Sequence, residues 1–129
     1  MQKTKEKRAI LITGCSTGIG HHVAVELDKL GYQVIASARK VEDVKKLQQQ
    51  GLNAIQLDLD DSVSIQSAVA KTLEMTGGKL YGLFNNGAYG QPGAVEDLSR
   101  ATLRAQLETN LLGWHELTNL VLPVMRNQG

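Results

Sequence analysis

Cysteine, proline and aromatic residues are scarce in this chain. Its 129 residues hold one cysteine, two prolines, one tryptophan, three tyrosines and one phenylalanine. A single cysteine excludes an internal disulfide and fits a reducing, cytoplasmic setting. The prolines are Pro92 and Pro123, so no proline-rich linker or recognition tract divides the chain. No apolar run approaches the ~18 residues of a membrane-spanning helix, which argues against a membrane role. Charge of one sign is missing too: the net charge of +1 offers no electrostatic footprint for nucleic acid. Of the three histidines, His21 and His22 are adjacent and point to different faces of a helix, a poor metal pair. The basic Met1–Arg8 leads into an apolar run with no cleavage site, and reads as a mobile solvated arm rather than a secretory signal.

What is present is a chain with 42% hydrophobic and 21% charged residues, enough for one domain with a packed core over residues 1–129. Short apolar runs alternate with helical stripes. Ala9–Ile12 has the composition of a strand buried on both faces. Val23, Leu27 and Leu30 mark a helix stopped by Gly31. Gln33–Ser37 is a second strand, and Val41, Val44 and Leu47 mark a second helix stopped by Gly51. Ala54–Leu57 is a third strand; Asp61 or Ser62 caps a helix carrying Ile65, Val69 and Leu73, ended by Gly77-Gly78. Leu80–Phe84 is the fourth strand. After a loop around Gln91–Asp97, one long helix capped by Ser99 is expected through Leu103, Leu107, Leu111, Trp114, Leu117 and Val121, with Pro123 loosening its last turns. The order β-α-β-α-β-α-β-α implies right-handed crossovers and a doubly wound, Rossmann-like α/β fold with a parallel sheet in strand order 3-2-1-4. Its ligand crevice then lies between the first and fourth strands.

Thirteen glycines, about 10% against a usual ~7%, direct attention to the turn after the first strand. It reads Thr13-Gly14-Cys15-Ser16-Thr17-Gly18-Ile19-Gly20. A glycine turn between strand and helix lets the backbone approach a pyrophosphate and aims helix N-terminal amides at it. G-x-G-x-x-G fails at His21 and Val23, and no G-x-x-x-x-G-K-[ST] exists. The spacing T-G-x-x-x-G-x-G resembles the cofactor turn of the short-chain dehydrogenase/reductase family.

That resemblance implies cofactor contacts from Gly14, Ser16, Thr17, Gly18, Ile19 and Gly20. The second strand ends Ala38-Arg39. An acidic residue there suits the ribose of NAD, whereas Arg39, with help from the Ser16 hydroxyl, suits the 2′-phosphate, so NADP(H) is expected over NAD(H). Alternatively, Arg39 and Lys40 solvate a helix start. Asp58 is similar to the family's aspartate against the adenine amino group, with the Leu59 backbone against the ring. The other reading of Asp58 is an Asx cap among Asp58, Asp60 and Asp61. Asn85-Asn86-Gly87-Ala88 is similar to the family's Asn-Asn-Ala-Gly beside the adenosine ribose, with the last two residues exchanged. Asn85 alternatively ties adjacent strands through its amide. Asn110 matches an asparagine that, in the family, holds a water in a proton relay to the catalytic lysine; alternatively it bonds a neighbouring helix. No metal site is expected. Cys15, beside a helix N-terminus, is read as a small turn residue rather than a reactive thiol. Tyr89 and Trp114 are left open to contact with a substrate or a partner helix.

The family transfers a hydride between nicotinamide and a carbonyl or alcohol, using a serine and a Tyr-x-x-x-Lys pair. Four residues after Tyr32, Tyr81 and Tyr89 stand Ala36, Asn85 and Gly93, so that pair is absent. The expectation is a chain holding the cofactor half of an oxidoreductase, inactive alone, with a fifth strand due near Gly129. The alternatives are a dinucleotide-binding module without chemistry, or a fragment that associates through its open sheet edge or its long helix.

Overall fold

The computed structural model describes residues 6–129. The remainder of the expected N-terminal arm lies outside them. Of its described part, Glu6 pairs with Lys79 at 2.8 Å and the Arg8 guanidinium sits 4.6 Å from the centre of the Tyr81 ring, so these exposed residues are tied to the segment leading into the fourth strand.

Four strands, β1 (Ala9–Ile12), β2 (Gln33–Ala38), β3 (Asn53–Gln56) and β4 (Gly82–Phe84), form one parallel sheet in the order β3-β2-β1-β4. β1 is central, pairing Leu11 with Ile35 on one side and with Leu83 on the other. Because side chains alternate across a strand, neighbouring residues feed opposite faces. Leu11 and Ile35 join Ile65, Val69, Leu117 and Val121 on one face. Ile12 and Val34 join Ala24, Val44 and Leu47 on the other. Helices α1 (Gly18–Lys29) and α2 (Val41–Gln49) cover the second face; α3 (Ser62–Met75) and α5 (Trp114–Asn127) cover the first. This is the doubly wound arrangement, and the apolar runs of β1 and β2 follow from burial on both sides.

The helix limits were legible where side-chain chemistry is local. Asp61 accepts from the Val63 amide at 2.9 Å and Ser99 from the Thr102 amide at 3.1 Å, both as N-caps. Elsewhere the structure corrects the expected stripes. Leu30 is 73% exposed, because α1 ends at Lys29 and the chain is already turning at Gly31. The long helix is not continuous. Helix α4 (Arg100–Leu107) passes into a π-helical stretch, Glu108–Gly113, before α5 begins. A wider turn breaks the 3.6-residue phase. Leu103 and Leu111 are therefore 54% and 55% exposed, while Leu117 is fully buried. Pro123 removes one backbone donor from α5 without ending it.

Candidate functional site

The turn from β1 into α1 is built by three glycines for different physical reasons. Gly14 adopts the left-handed region, φ +68°, and presses against Gly87: a Cβ on Gly14 would lie 2.6 Å from the Gly87 Cα. Gly18 is also left-handed, φ +63°, but has open space around it. Gly20 has ordinary helical backbone, yet a Cβ there would overlap the Gly14 carbonyl and the Asn86 amide. The turn is thus closed against the segment after β4, and that closure needs missing side chains.

Thr13 holds the two segments together. It is buried, and its hydroxyl accepts from the Asn86 amide at 2.9 Å and the Gly87 amide at 2.7 Å. In return, the Asn86 side-chain amide donates to the Thr13 and Gly14 carbonyls, each at 3.2 Å. From the other side, the Trp114 indole donates to the Gly87 carbonyl at 2.6 Å. Thr13 is not among the expected site residues, and Trp114, open from sequence to a substrate or a partner helix, bonds the Gly87 backbone instead. Thr13 opens the glycine motif and could have been found there. Trp114 lies 27 positions from its partner, with no sequence signal for the pairing.

A cleft of about 530 Å³ opens beyond the carboxyl ends of the strands. Of the expected residues, Gly14, Ser16, Arg39, Asp58, Leu59, Gly87 and Ala88 line it, joined by Thr13, Ala38, Leu57, Asp60, Tyr89 and Thr109. Thr17, Gly18, Ile19 and Gly20 do not line it; they form the end of the turn and the first turn of α1. Asn85 and Asn86 are also outside it. Asn86 is engaged with the glycine turn. The Asn85 amide donates to the Thr118 hydroxyl at 3.1 Å, tying the end of β4 to α5 rather than to a neighbouring strand, and its carbonyl oxygen is buried without a partner. Gly87 does not take positive φ and no non-glycine residue among the described residues does, so the exchange of Gly87 and Ala88 requires no left-handed residue here.

Asn110 lies behind the cleft in the π-helical stretch. Its amide donates to the Tyr89 carbonyl at 2.7 Å and its oxygen accepts from the Tyr89 amide at 3.1 Å. The side chain is thereby committed to positioning Tyr89, which lines the cleft. Beside it, Gly113 packs against the Leu59 backbone so closely that a Cβ would overlap the Leu59 carbonyl. Asp58 accepts from the Asp60 amide at 3.0 Å, forming the Asx turn, and still lines the cleft. Asp60 is bonded by the Thr109 hydroxyl.

Charge is concentrated at the rim. Arg39 is exposed at the end of β2 and makes no ion pair among the described residues. Cys15 is fully buried; desolvation pushes its thiol up to about 11, outweighing the hydrogen bond from the Ser37 backbone that favours the thiolate. That bears out its reading as a turn residue. Among the described residues no cluster of histidine, cysteine and carboxylates can hold a metal ion, and no helix is long and apolar enough to cross a membrane.

An open parallel sheet with a glycine turn closing onto the strand beyond the switch point is the architecture of a nucleotide-binding α/β domain. Residues 8–129 match the short chain dehydrogenase family, and the chain belongs to it. It is 38% identical over 123 residues to YbbO, an uncharacterised oxidoreductase of Escherichia coli strain K12, covering 95% of this chain and 46% of that protein. A short-chain dehydrogenase from Streptomyces avermitilis superposes with a TM-score of 0.89 at 31% identity, covering 98% of this chain and 47% of the other. A single-residue variant of actinorhodin polyketide ketoreductase, solved with NADPH, superposes with a TM-score of 0.83 at 30% identity, covering 96% and 49%. The chain therefore spans less than half the length of these proteins. The family uses nicotinamide dinucleotide cofactors and its members are oxidoreductases.

Proposed function

We propose that this chain is the cofactor-binding portion of an NADP(H)-dependent oxidoreductase acting on a small carbonyl or alcohol substrate. The observation that carries the reading is the cleft: a backbone-only wall where Gly14 meets Gly87, with Arg39, which makes no ion pair among the described residues, at its rim. The wall fits a pyrophosphate, which needs close backbone approach; the first turn of α1, whose amides carry no side-chain cap, follows closely on Ser16 at the cleft's edge. Arg39 and Lys40 stand at the N-terminus of α2, where cations oppose the helix dipole. Solvating a helix start is better served by carboxylates, which Glu42 and Asp43 already supply. A 2′-phosphate gives Arg39 its reason to be there. Ser16, Asp58 and Leu59 line the same cleft and suit the phosphate and adenine ends.

The bound dinucleotide supplies the hydride chemistry. The chain's own residues hold and orient it: the glycine turn and α1 amides at the pyrophosphate, Arg39 and Ser16 at the ribose phosphate, Asp58 at the adenine amine. Asn110 acts through Tyr89, fixing the wall where the segment after β4 meets the cleft. None of the tyrosines is followed four residues on by lysine, so the 129-residue chain by itself is proposed to bind cofactor without turnover. A lone buried thiol is compatible with a cytoplasmic location.

Calorimetric titration with NADPH and NADH tests this directly. NADPH is expected to bind at least tenfold more tightly, and Arg39→Ala to erase that preference, consistent with ~1.5–3 kcal/mol for a charge-assisted contact. Equal affinities would remove the NADP(H) preference; no binding of either at millimolar concentration would remove the cofactor reading.

A second reading is favoured by the apolar surface. Leu103, Leu107, Leu111 and Leu112 are exposed, and among the described residues β4 pairs only with β1. The chain is proposed to self-associate through this helical face or through the β4 edge. Sedimentation at tens of micromolar gives the answer: a monomeric mass refutes it.

A further inference from the structure

Six asparagines occur in the chain, and only Asn86 is followed by glycine. A glycine has no Cβ to shield its backbone nitrogen, so in a flexible chain that nitrogen readily attacks the preceding carboxamide. The Gly87 nitrogen bonds to the Asn86 Cγ, the Cγ–Nδ2 bond breaks, and ammonia leaves carrying the proton from the Gly87 N–H. Water then opens the resulting succinimide to aspartate or isoaspartate. No electrons are exchanged, and the reaction needs nothing but water.

In the folded chain both reacting groups are held. The Gly87 residue is buried and its N–H donates to the Thr13 hydroxyl at 2.7 Å. The Asn86 amide donates to the Thr13 and Gly14 carbonyls, each at 3.2 Å. One residue, Thr13, thus contacts the nucleophile through its side chain and the electrophile's amide through its carbonyl. Separating the β1 turn from the end of β4 frees both groups in a single movement. We infer that Asn86 is a deamidation site that the fold keeps closed, with Thr13 as its latch.

Once the reaction occurs, the turn cannot close as before. A carboxylate replaces a two-bond donor and faces two carbonyl oxygens. Space is tight as well: a Cβ on Gly20 would lie 2.5 Å from the Asn86 Nδ2. The isoaspartate product lengthens the backbone between Asn85 and Gly87 and displaces Gly87 from Gly14. Local opening is thereby recorded as an irreversible chemical change in the wall of the cleft. The reaction itself does not rest on the cofactor reading; only its consequence for dinucleotide binding does.

The test follows the full chain at mildly alkaline pH, with and without denaturing urea, by peptide mapping and isoaspartate detection. No dinucleotide is added, so the outcome is independent of cofactor binding. Deamidation is expected first at Asn86, at least ~10-fold slower in the folded chain than in urea, since the reaction is limited to the opened population. Thr13→Val should speed it roughly tenfold in buffer by removing the acceptor shared by two amides, without changing the rate in urea. Gly87→Ala should slow it in urea, where only the Cβ beside the attacking nitrogen matters; in the folded chain that Cβ would also crowd Thr13 and Leu59. Equal folded and unfolded rates, earlier reaction at another asparagine, or a Thr13→Val rate in buffer equal to the parent's would each overturn the proposal. If Thr13→Val does not fold, the parent's folded-to-unfolded ratio and Gly87→Ala decide the matter.

Discussion

The Gly14→Ala substitution meets two obstacles at once. A non-glycine residue in the left-handed region at φ +68° costs ~1–2 kcal/mol. The added Cβ would also lie 2.6 Å from the Gly87 Cα, a collision with backbone that no side-chain rotation relieves. Overpacking of this kind costs ~1–3 kcal/mol, so the total is roughly 2–5 kcal/mol. Gly18→Ala isolates the first term, because its φ is +63° with nothing within 4 Å. It should cost only ~1–2 kcal/mol. Gly20→Ala isolates the second: its backbone is helical, where alanine is favoured by ~0.5–1 kcal/mol, yet its Cβ would strike the Gly14 carbonyl. Urea unfolding followed by circular dichroism measures all three. With a slope of ~1–3 kcal/mol per molar, Gly14→Ala should lower the midpoint by ~1–2 M or prevent folding, and Gly18→Ala by less than half as much. Equal losses at Gly14 and Gly18 would refute the close-approach argument and leave conformation alone as the cause.

Two further predictions concern groups around the same wall. Trp114→Phe removes the donor to the Gly87 carbonyl and should cost ~1–2 kcal/mol while weakening NADPH binding, measured by denaturation and calorimetry; unchanged affinity would restrict Trp114 to packing. Cys15 should resist thiol reagents at neutral pH in the folded chain. Its folded pKa, about 11, lies above the ordinary thiol value near 9, so the unfolded chain ionises first. Stability should be unaffected by this group below pH 9 and fall between pH 9 and 11, by on the order of 2 kcal/mol. A Cys15→Ala chain showing the same alkaline loss would assign it to another group.

The exchange of strand and helix was legible because each element announces itself within a few residues. Ala9–Ile12 matches the observed strand end for end, and Ser99 and Asp61 cap their helices through atoms two or three positions away. The stripe from Leu103 to Val121 misled, since a periodic pattern cannot reveal a π-helical turn that changes its phase. The glycine turn was legible as a motif, but the reasons for its glycines were not. Gly18 answers to its own backbone, whereas Gly14 and Gly20 answer to Gly87 and Asn86, more than sixty positions away. Sequence position alone makes Asn85 and Asn110 site candidates; the structure engages their side chains with Thr118 and the Tyr89 backbone.

By itself, then, the sequence determined the doubly wound fold, its strand order and the place of the cleft beyond the strands' carboxyl ends. Hydrophobic period, caps and glycine stops act locally, and right-handed crossovers leave little topological choice. Tertiary structure alone decided which residues build the wall of that cleft. The Thr13 latch spans 74 positions and the Trp114 contact 27. Hydrogen bonds across such separations depend on how two finished elements meet, and nothing in either local stretch records the other.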